Sequence, residues 1–276
     1  MKQLNGKVAV VSGAGSGIGR ALALGLAKEN ADLALGDLNL KGLRETQALL
    51  ATAGYRRQLR IYSLDVSGRE QVDEFARQVI ADFGTADLLI NNAGVSSSGG
   101  VRELTFETLE WTLNINLWGV IHMTKAFLPI LAQRPEAGIV NISSVYGLMG
   151  IPGQAAYCAS KFGVRGFTEA LRQEYYQSNL AVTVVFPGGV KTNIARNSRT
   201  DYAIGEAEYE QGVRDMEASF RTTPEEAARI IIAGIKNKAP RVLIGKDARR
   251  IDFLARFQPN SYDKTIAKYI RSKKSG

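Results

Sequence analysis

A chain of 276 residues that is 45% hydrophobic can bury a sizeable core, and no run in it approaches the roughly 20 consecutive apolar residues of a transmembrane helix or the pattern of a secretory leader. The formal net charge of +8 is local: from Lys236 onward 12 Lys and Arg face Asp247, Asp252 and Asp263, so the body is near neutral and nucleic acid is not an expected partner. One cysteine, Cys158, and one histidine, His122, exclude an internal disulfide, argue against a histidine-based metal site or a Ser-His-Asp triad, and fit a reducing, cytoplasmic setting.

Lys7 to Ser12 reads KVAVVS, a β-branched apolar run ending in glycines, which predicts a buried strand. Ile18 to Glu29 carries apolar residues at helical spacing. Leu33 to Asp37 is the next strand and Leu40 to Ala53 the next helix. Strands are predicted at Arg60 to Leu64, Leu88 to Asn91, Gly138 to Ile142 and Ala181 to Phe186, with helices at Arg69 to Phe83, Phe106 to Leu131 and Ala155 to Gln177 between them. After Phe186 the rhythm breaks. Pro224 to Asn237 is a helix with Thr223 as N-cap and Glu226 completing a capping box, and Val242 to Ile244 adds an edge strand. This alternation predicts an α/β protein: a doubly wound, Rossmann-type, seven-stranded parallel sheet with helices on both faces. A single domain is expected, spanning residues 1–246 and including a substrate loop at 190–222, with 247–276 as its basic C-terminal extension.

Gly13-Ala-Gly-Ser16-Gly17-Ile18-Gly19 lies between the first strand and the first helix. Glycines there permit a tight turn and close approach to a pyrophosphate, and the helix N-terminus offers free N–H groups to the anion. Asp37 ends the second strand, 18 residues beyond Gly19. Its carboxylate can accept hydrogen bonds from both hydroxyls of an adenosine ribose and would repel a 2′-phosphate. No Arg or Lys follows until Lys41, and Ser16 takes the place of a basic residue within the turn, so NAD is favoured over NADP. The alternative is that Asp37 merely caps the next helix.

Tyr157 and Lys161 stand four apart in YCASK, on one face of a helix. With Gly13-x3-Gly17-x-Gly19, Asp65-Val66, Asn91-Asn92-Ala93-Gly94, Asn116 in INLWG, Ser144, Tyr157-x3-Lys161 and Pro187-Gly188 all in order, the chain resembles the short-chain dehydrogenase/reductase family in its roughly 250-residue branch, from Leu4 to about Gly245. The resemblance implies an oxidoreductase acting on CH–OH donors. Tyr157 is then the general acid/base, and Lys161 lowers its pKa and binds the nicotinamide ribose. Ser144, 13 residues before Tyr157, steadies the carbonyl oxygen, and Asn116 holds a water in a proton relay to Lys161. Ser143 is structural. Asp65 and Val66 flank the adenine, Leu38 follows the ribose-binding Asp37, and Asn92, Ala93 and Gly94 line the cofactor. Pro187, Gly188, Val190 and Thr192 meet the nicotinamide end. Gly189 stands where the family often has another residue, a departure of little expected consequence. Cys158, turned about 100° from Tyr157 along the helix, is a packed residue and not a nucleophile, and His122 lies at a surface or interface.

The substrate loop, with Tyr202, Ile204, Tyr209, Val213, Met216 and Phe220, reads as an amphipathic lid, part of it helical over Glu206 to Phe220. It predicts a hydrophobic alcohol or ketone as substrate. In the basic extension Ile251, Phe253, Leu254 and Phe257 alternate with Arg249, Arg250 and Arg256. This is either a helix packed on the body or a sister subunit, or a weak peripheral membrane contact. A homo-oligomer, tetramer or dimer, follows from the resemblance. Two other readings remain: an NADPH-preferring ketone reductase of the 3-oxoacyl type, and a non-catalytic NAD-binding sensor.

Overall fold

The computed structural model describes residues 1–202, 206–265 and 267; Ile204 and residues 268–276 of the extension lie outside the described residues. In chain order the elements are β1 (Val8–Ser12), α1 (Gly17–Lys28), β2 (Asp32–Asp37), α2 (Leu40–Thr52), β3 (Leu59–Ser63), α3 (Arg69–Phe83), β4 (Leu88–Asn91), β5 (Ser97–Ser98), α4 (Phe106–Leu113), α5 (Gly119–Leu131), β6 (Ala137–Ile142), α6 (Ala155–Glu174), β7 (Leu180–Pro187), β8 (Arg199–Thr200), α7 (Glu206–Ser219), α8 (Pro224–Lys236), β9 (Arg241–Ile244) and α9 (Lys246–Phe257). Seven strands form one sheet in the order β3-β2-β1-β4-β6-β7-β9, every neighbouring pair parallel. The expected doubly wound sheet is therefore present, with β9 at its edge.

The layers follow from side-chain pattern. Val8–Ser12 and Leu88–Asn91 are buried along their whole length, as strands covered on both faces must be. One face is packed by α1, α2 and α8 through Leu22, Leu26, Leu43, Ile231 and Ile235. The other is packed by α3, α5 and α6, where Phe75 meets Tyr62 and Phe127 edge to face. In the middle of the sheet Asn91 and Asn141 lie side by side on β4 and β6. Asn91 donates to Asn141 and to Thr124 of α5, and Asn141 donates to Thr168 of α6. This polar seam ties two strands to two helices in a region where unpaired groups would be costly.

Two features depart from the sequence reading. The helix expected from Phe106 to Leu131 is divided by a π-helical turn at Asn114–Trp118. A side pair of two-residue strands, β5 and β8, joins the segment after β4 to the long segment that follows β7. Thr223 caps α8 as expected, accepting from the Glu226 N–H. The C-terminal helix α9 lies against β9 and the 3-10 turn Val145–Gly147. Its Ile251 joins Leu148, Val184 and Phe186, and its Asp252 pairs with Arg241 at 2.7 Å.

Candidate active site

The sheet order reverses direction between β1 and β4, and ligand sites of open α/β sheets form at the carboxyl ends of strands at such a point. The glycine turn sits there. Gly13 has φ of +68°, and a Cβ on it would press on the Ala93 backbone. A Cβ on Gly19 would overlap the Gly13 carbonyl oxygen, so α1 can approach the turn only with glycine in place. Asn92 locks the arrangement from β4, its amide donating to the Ser12 and Gly13 carbonyls. Ser12 Oγ accepts from the Asn92 and Ala93 N–H groups. Ser16, at the exposed tip, gives α1 no side-chain cap, whereas Asn39, Thr105 and Thr223 cap α2, α4 and α8. The first N–H groups of α1 are left for an anion, so the cradle fits the pyrophosphate of a dinucleotide.

Asp37 ends β2 beside this turn. One carboxylate oxygen accepts from Gly15 N–H and the other from Asn39 N–H, both at 2.8 Å. Each oxygen keeps a further lone pair for a ribose hydroxyl. Arg20, in the first turn of α1, has its guanidinium engaged by neighbouring groups. It donates to the Gly15 and Gly42 carbonyls and to Thr46 and pairs with Glu45 at 2.8 Å. Leu38, the next residue, is exposed. After β3, Asp65 accepts from Ser67 N–H and Oγ. Val66 is buried against Gly119, and its carbonyl lies 3.2 Å from His122 Nδ1. His122 is half-buried and stacks on Trp118.

The catalytic candidates converge. Tyr157 and Lys161 project from one face of α6, both buried, with Lys161 Nζ 5.6 Å from the Tyr157 ring centre. The Ser144 hydroxyl accepts from the Tyr146 N–H at 3.1 Å and lies where it favours the Tyr157 phenolate. Ser143 donates instead to the Lys161 carbonyl at 2.8 Å, the structural role expected of it. Gly94 lies beside Lys161 Nζ and Asn116 Oδ1, bringing the end of β4 to the same place. Asn116 is buried in the π turn, and its side chain brackets Val95, accepting from its N–H at 2.8 Å and donating to its carbonyl at 2.9 Å. It also donates to Ser160 Oγ. That side chain is therefore occupied in holding the segment after β4.

Burial dominates the electrostatics of this pair. Burial is the largest influence on Tyr157 and pushes its pKa above the ordinary tyrosine value; Ser144 opposes the shift, and Tyr146 and Cys158 add to it. Lys161 is not among the groups that shift Tyr157, and its own pKa is lowered by burial to about 8. Here desolvation outweighs the charge pairing inferred from the Tyr–Lys spacing. Burial also raises the Cys158 thiol, whose sulfur lies 4.0 Å from the Met149 carbonyl, in keeping with a packed residue.

The turn at 187–192, after β7, is held from two sides. Pro187 and Val190 are buried, and Thr192 reaches across to Gly17. Gly189 accepts at its carbonyl from Arg221 and Thr222 N–H, and its N–H donates to Asp247 of α9 at 2.7 Å. A Cβ on Gly189 would meet Phe220, and one on Gly188 would collide with the Asp247 carboxylate. Gly189 is thus a packing requirement and not an incidental departure. The segment that follows is pinned as well. Asp201 accepts from Thr105 N–H and from the hydroxyls of Thr105 and Thr108 on α4. Arg196 pairs with Glu217 of α7 at 2.7 and 2.8 Å. Asp201 and Asp247 escaped the sequence reading, because both act on partners more than 50 residues away.

Two cavities border this region. One of about 550 Å³ lies among Lys191, Thr192, Asn193, Arg196, Asn197, Glu217 and Phe220. The other, of about 450 Å³, is lined by Gly150, Ile151, Pro152, Ala155, Cys158, Tyr262, Asp263 and Ala267.

The model of the short chain dehydrogenase family matches residues 7–203. The oxidoreductase SadH of Mycobacterium tuberculosis is 43% identical over 271 residues, covering 97% of this chain and 96% of that protein. The 3-oxoacyl-acyl-carrier-protein reductase FabG of Thermotoga maritima is 33% identical over 231 residues, 83% of this chain and 90% of that one. A short-chain dehydrogenase/reductase from Burkholderia phymatum, crystallised in complex with NAD, superposes with a TM-score of 0.85 at 28% identity, covering 96% of this chain and 97% of that chain. Fold, motif order and these similarities agree: the chain belongs to the short chain dehydrogenase family of oxidoreductases.

Proposed function

We propose that the protein is an NAD-dependent oxidoreductase that interconverts a secondary alcohol and a ketone on an apolar substrate. The observation that carries this reading is the buried group of Tyr157, Ser144 and Lys161, in which Lys161 Nζ lies 5.6 Å from the Tyr157 ring and Ser144 is placed to favour its phenolate. The pyrophosphate would rest on the N–H groups of Gly13, Ser16, Gly17, Ile18 and Gly19, the adenosine ribose on Asp37 and Leu38, and the adenine between Asp65 and Val66. Asn92, Ala93, Gly94, Pro187, Gly188, Val190 and Thr192 would line the nicotinamide half, with Tyr157 and Lys161 at its ribose. NAD, when bound, supplies hydride chemistry and a ring whose positive charge favours the phenolate.

The proton is the protein's part. Tyr157 takes it from the alcohol oxygen in oxidation and returns it to the carbonyl oxygen in reduction. Ser144 donates to that same oxygen and steadies its developing charge. Lys161, with a pKa lowered to about 8, can hold or release a proton close to neutral pH. With the Asn116 side chain occupied, a water relay from Lys161 would fall to the Asn116 backbone carbonyl. The preference for NAD rests on Asp37, whose carboxylate a 2′-phosphate would have to approach, and on Arg20, which is occupied by Gly15, Gly42, Thr46 and Glu45. The apolar substrate is supported by the cavity of about 450 Å³ at the start of α6, where Ile151, Pro152, Ala155 and Cys158 face Tyr262, Ala267 and one charged residue, Asp263, a size that suits small-molecule ligands.

The similarity to FabG favours a second reading, an NADPH-preferring reductase of 3-oxoacyl ketones; Asp37 stands against it. Initial rates with NAD and NADP across secondary alcohols at alkaline pH decide between them, with Tyr157→Phe as control. Turnover with NAD that disappears in the variant, nucleotide binding intact, is the expected result. Preference for NADP would move the assignment to the reductase. Tight NAD binding without turnover on alcohols or ketones would leave a non-catalytic NAD sensor.

A further inference from the structure

We infer that the outer face of α9 seats the protein on an anionic lipid surface. α9 runs from Lys246 to Phe257, and at about 100° per residue its sequence divides into two sides. Ala248 is buried and Ile251 packs against Leu148, Val184 and Phe186, so the inner side is spoken for by the body of the protein. Lys246, Arg249, Arg250, Phe253, Arg256 and Phe257 fall together on the opposite side. All six are exposed.

Three observations select a lipid surface as the occupant. Phe253 and Phe257 are 57% and 71% exposed with their rings 4.7 Å apart, forming one aromatic ridge in water and not two scattered side chains. The ridge is bordered by cations alone. Arg256 shares Asp252 with Arg241, while Arg249 and Arg250 form no ion pair among the described residues. Finally, the basic excess continues past the helix: the last nine residues of the sequence hold Lys268, Arg271, Lys273 and Lys274 and no acid, on a protein whose other regions are near neutral. Aromatic side chains flanked by Arg on one helical face, with further Lys and Arg following, match an interfacial helix that lies in the headgroup layer. No described helix is long and apolar enough to cross a membrane, so the contact is peripheral. A nucleic acid would be drawn to the same cations but gains little from a pair of phenylalanines stacked on each other.

The test is sedimentation of the full chain with phosphatidylcholine vesicles, with and without about one third phosphatidylglycerol, at low and high salt. Binding to the anionic vesicles alone, weakened by salt, is expected. Each basic side chain near such a surface is worth about a fivefold change in partitioning, so Arg249→Gln/Arg250→Gln lowers it about 25-fold. Phe253→Ser/Phe257→Ser lowers it about tenfold or more, at unchanged thermal stability and NAD binding. Absence of vesicle binding at low salt overturns the inference. So does vesicle binding that both double variants retain, since another surface would then be responsible. Loss of a native dimer or tetramer in the phenylalanine variant, without a change in vesicle binding, would assign the face to a second copy. Binding of duplex DNA that the arginine variant abolishes, with vesicles ignored, would assign it to nucleic acid.

Discussion

Lys161→Met should make the protein more stable while removing its activity. Lys161 is 3% exposed, and its pKa falls from 10.5 to about 8 because burial penalises the ammonium. At pH 7 the native state therefore carries a buried cation at a cost of about 3 kcal/mol relative to the unfolded chain. Methionine has a similar shape and no charge to desolvate. It forfeits the hydrogen bond from the charged Nζ to the Ile142 carbonyl, 3.1 Å long and worth about 2 kcal/mol, which leaves a net gain of about 1 kcal/mol.

The pH dependence carries the sharper test. Between pH 8 and 10.5 the unfolded lysine keeps a proton that the native one has released. The unfolded state then binds more protons, and the contribution of Lys161 to stability rises with pH. Cys158, Tyr157, Tyr55 and Tyr62 have raised native pKa values and act in the opposite sense once their unfolded forms ionise. They are common to both proteins, so the difference between wild type and variant isolates Lys161. Urea unfolding followed by the fluorescence of Trp111 and Trp118, without nucleotide, should show the variant's advantage lost by pH 10. A constant gap from pH 7 to 10, or a variant less stable throughout, would refute the reasoning.

Three further outcomes follow from contacts around the site. Asp37→Ala removes the acceptor of the Gly15 N–H and a charged partner for the ribose, so the KM for NAD should rise about tenfold or more with that for NADP little changed; equal shifts for both would remove the ribose role. Asp247→Ala frees the Gly189 N–H and should raise the KM for NAD severalfold at nearly constant kcat. Asp247→Asn, which keeps an oxygen acceptor, should restore it, and failure of that rescue would tell against a positioning role. Asp201→Ala unpins the substrate loop from α4 and should raise the KM for the alcohol and leave that for NAD unchanged; the reverse pattern would place the loop at the cofactor.

What the sequence disclosed was local. Strand and helix periods need only near neighbours, so Arg69–Phe83 and Leu88–Asn91 fall where they were expected. The glycine turn was legible for the same reason, since Gly19 faces Gly13 only six residues away. The π turn was not, because the run from Phe106 to Leu131 keeps a helical pattern and the agent of the break is Asn116 bracketing Val95, 21 residues earlier. β5 and β8 are too short to carry a period of two, and their pairing depends on Asp201 reaching α4. The Tyr157–Lys161 spacing told which side chains would meet. It could not tell that burial would dominate both of them, because that depends on what the rest of the fold places over them.

The site therefore lies on groups that the fold holds at some cost. Lys161 is buried without a carboxylate partner among the described residues, and Tyr157 is kept protonated by its surroundings. Neither choice favours stability, and both are intelligible if a bound group with positive charge later shifts Tyr157 toward its phenolate and Lys161 passes protons near neutral pH. The supports are placed accordingly: Ser143 fixes the backbone at Lys161, Asn116 fixes Val95 beside Gly94, and Asp247 fixes the turn at Gly189. Each support comes from a different element, and each grips backbone atoms. The surroundings of Ser144, Tyr157 and Lys161, the side chains of the proposed chemistry, are thus fixed by hydrogen bonds to the main chain.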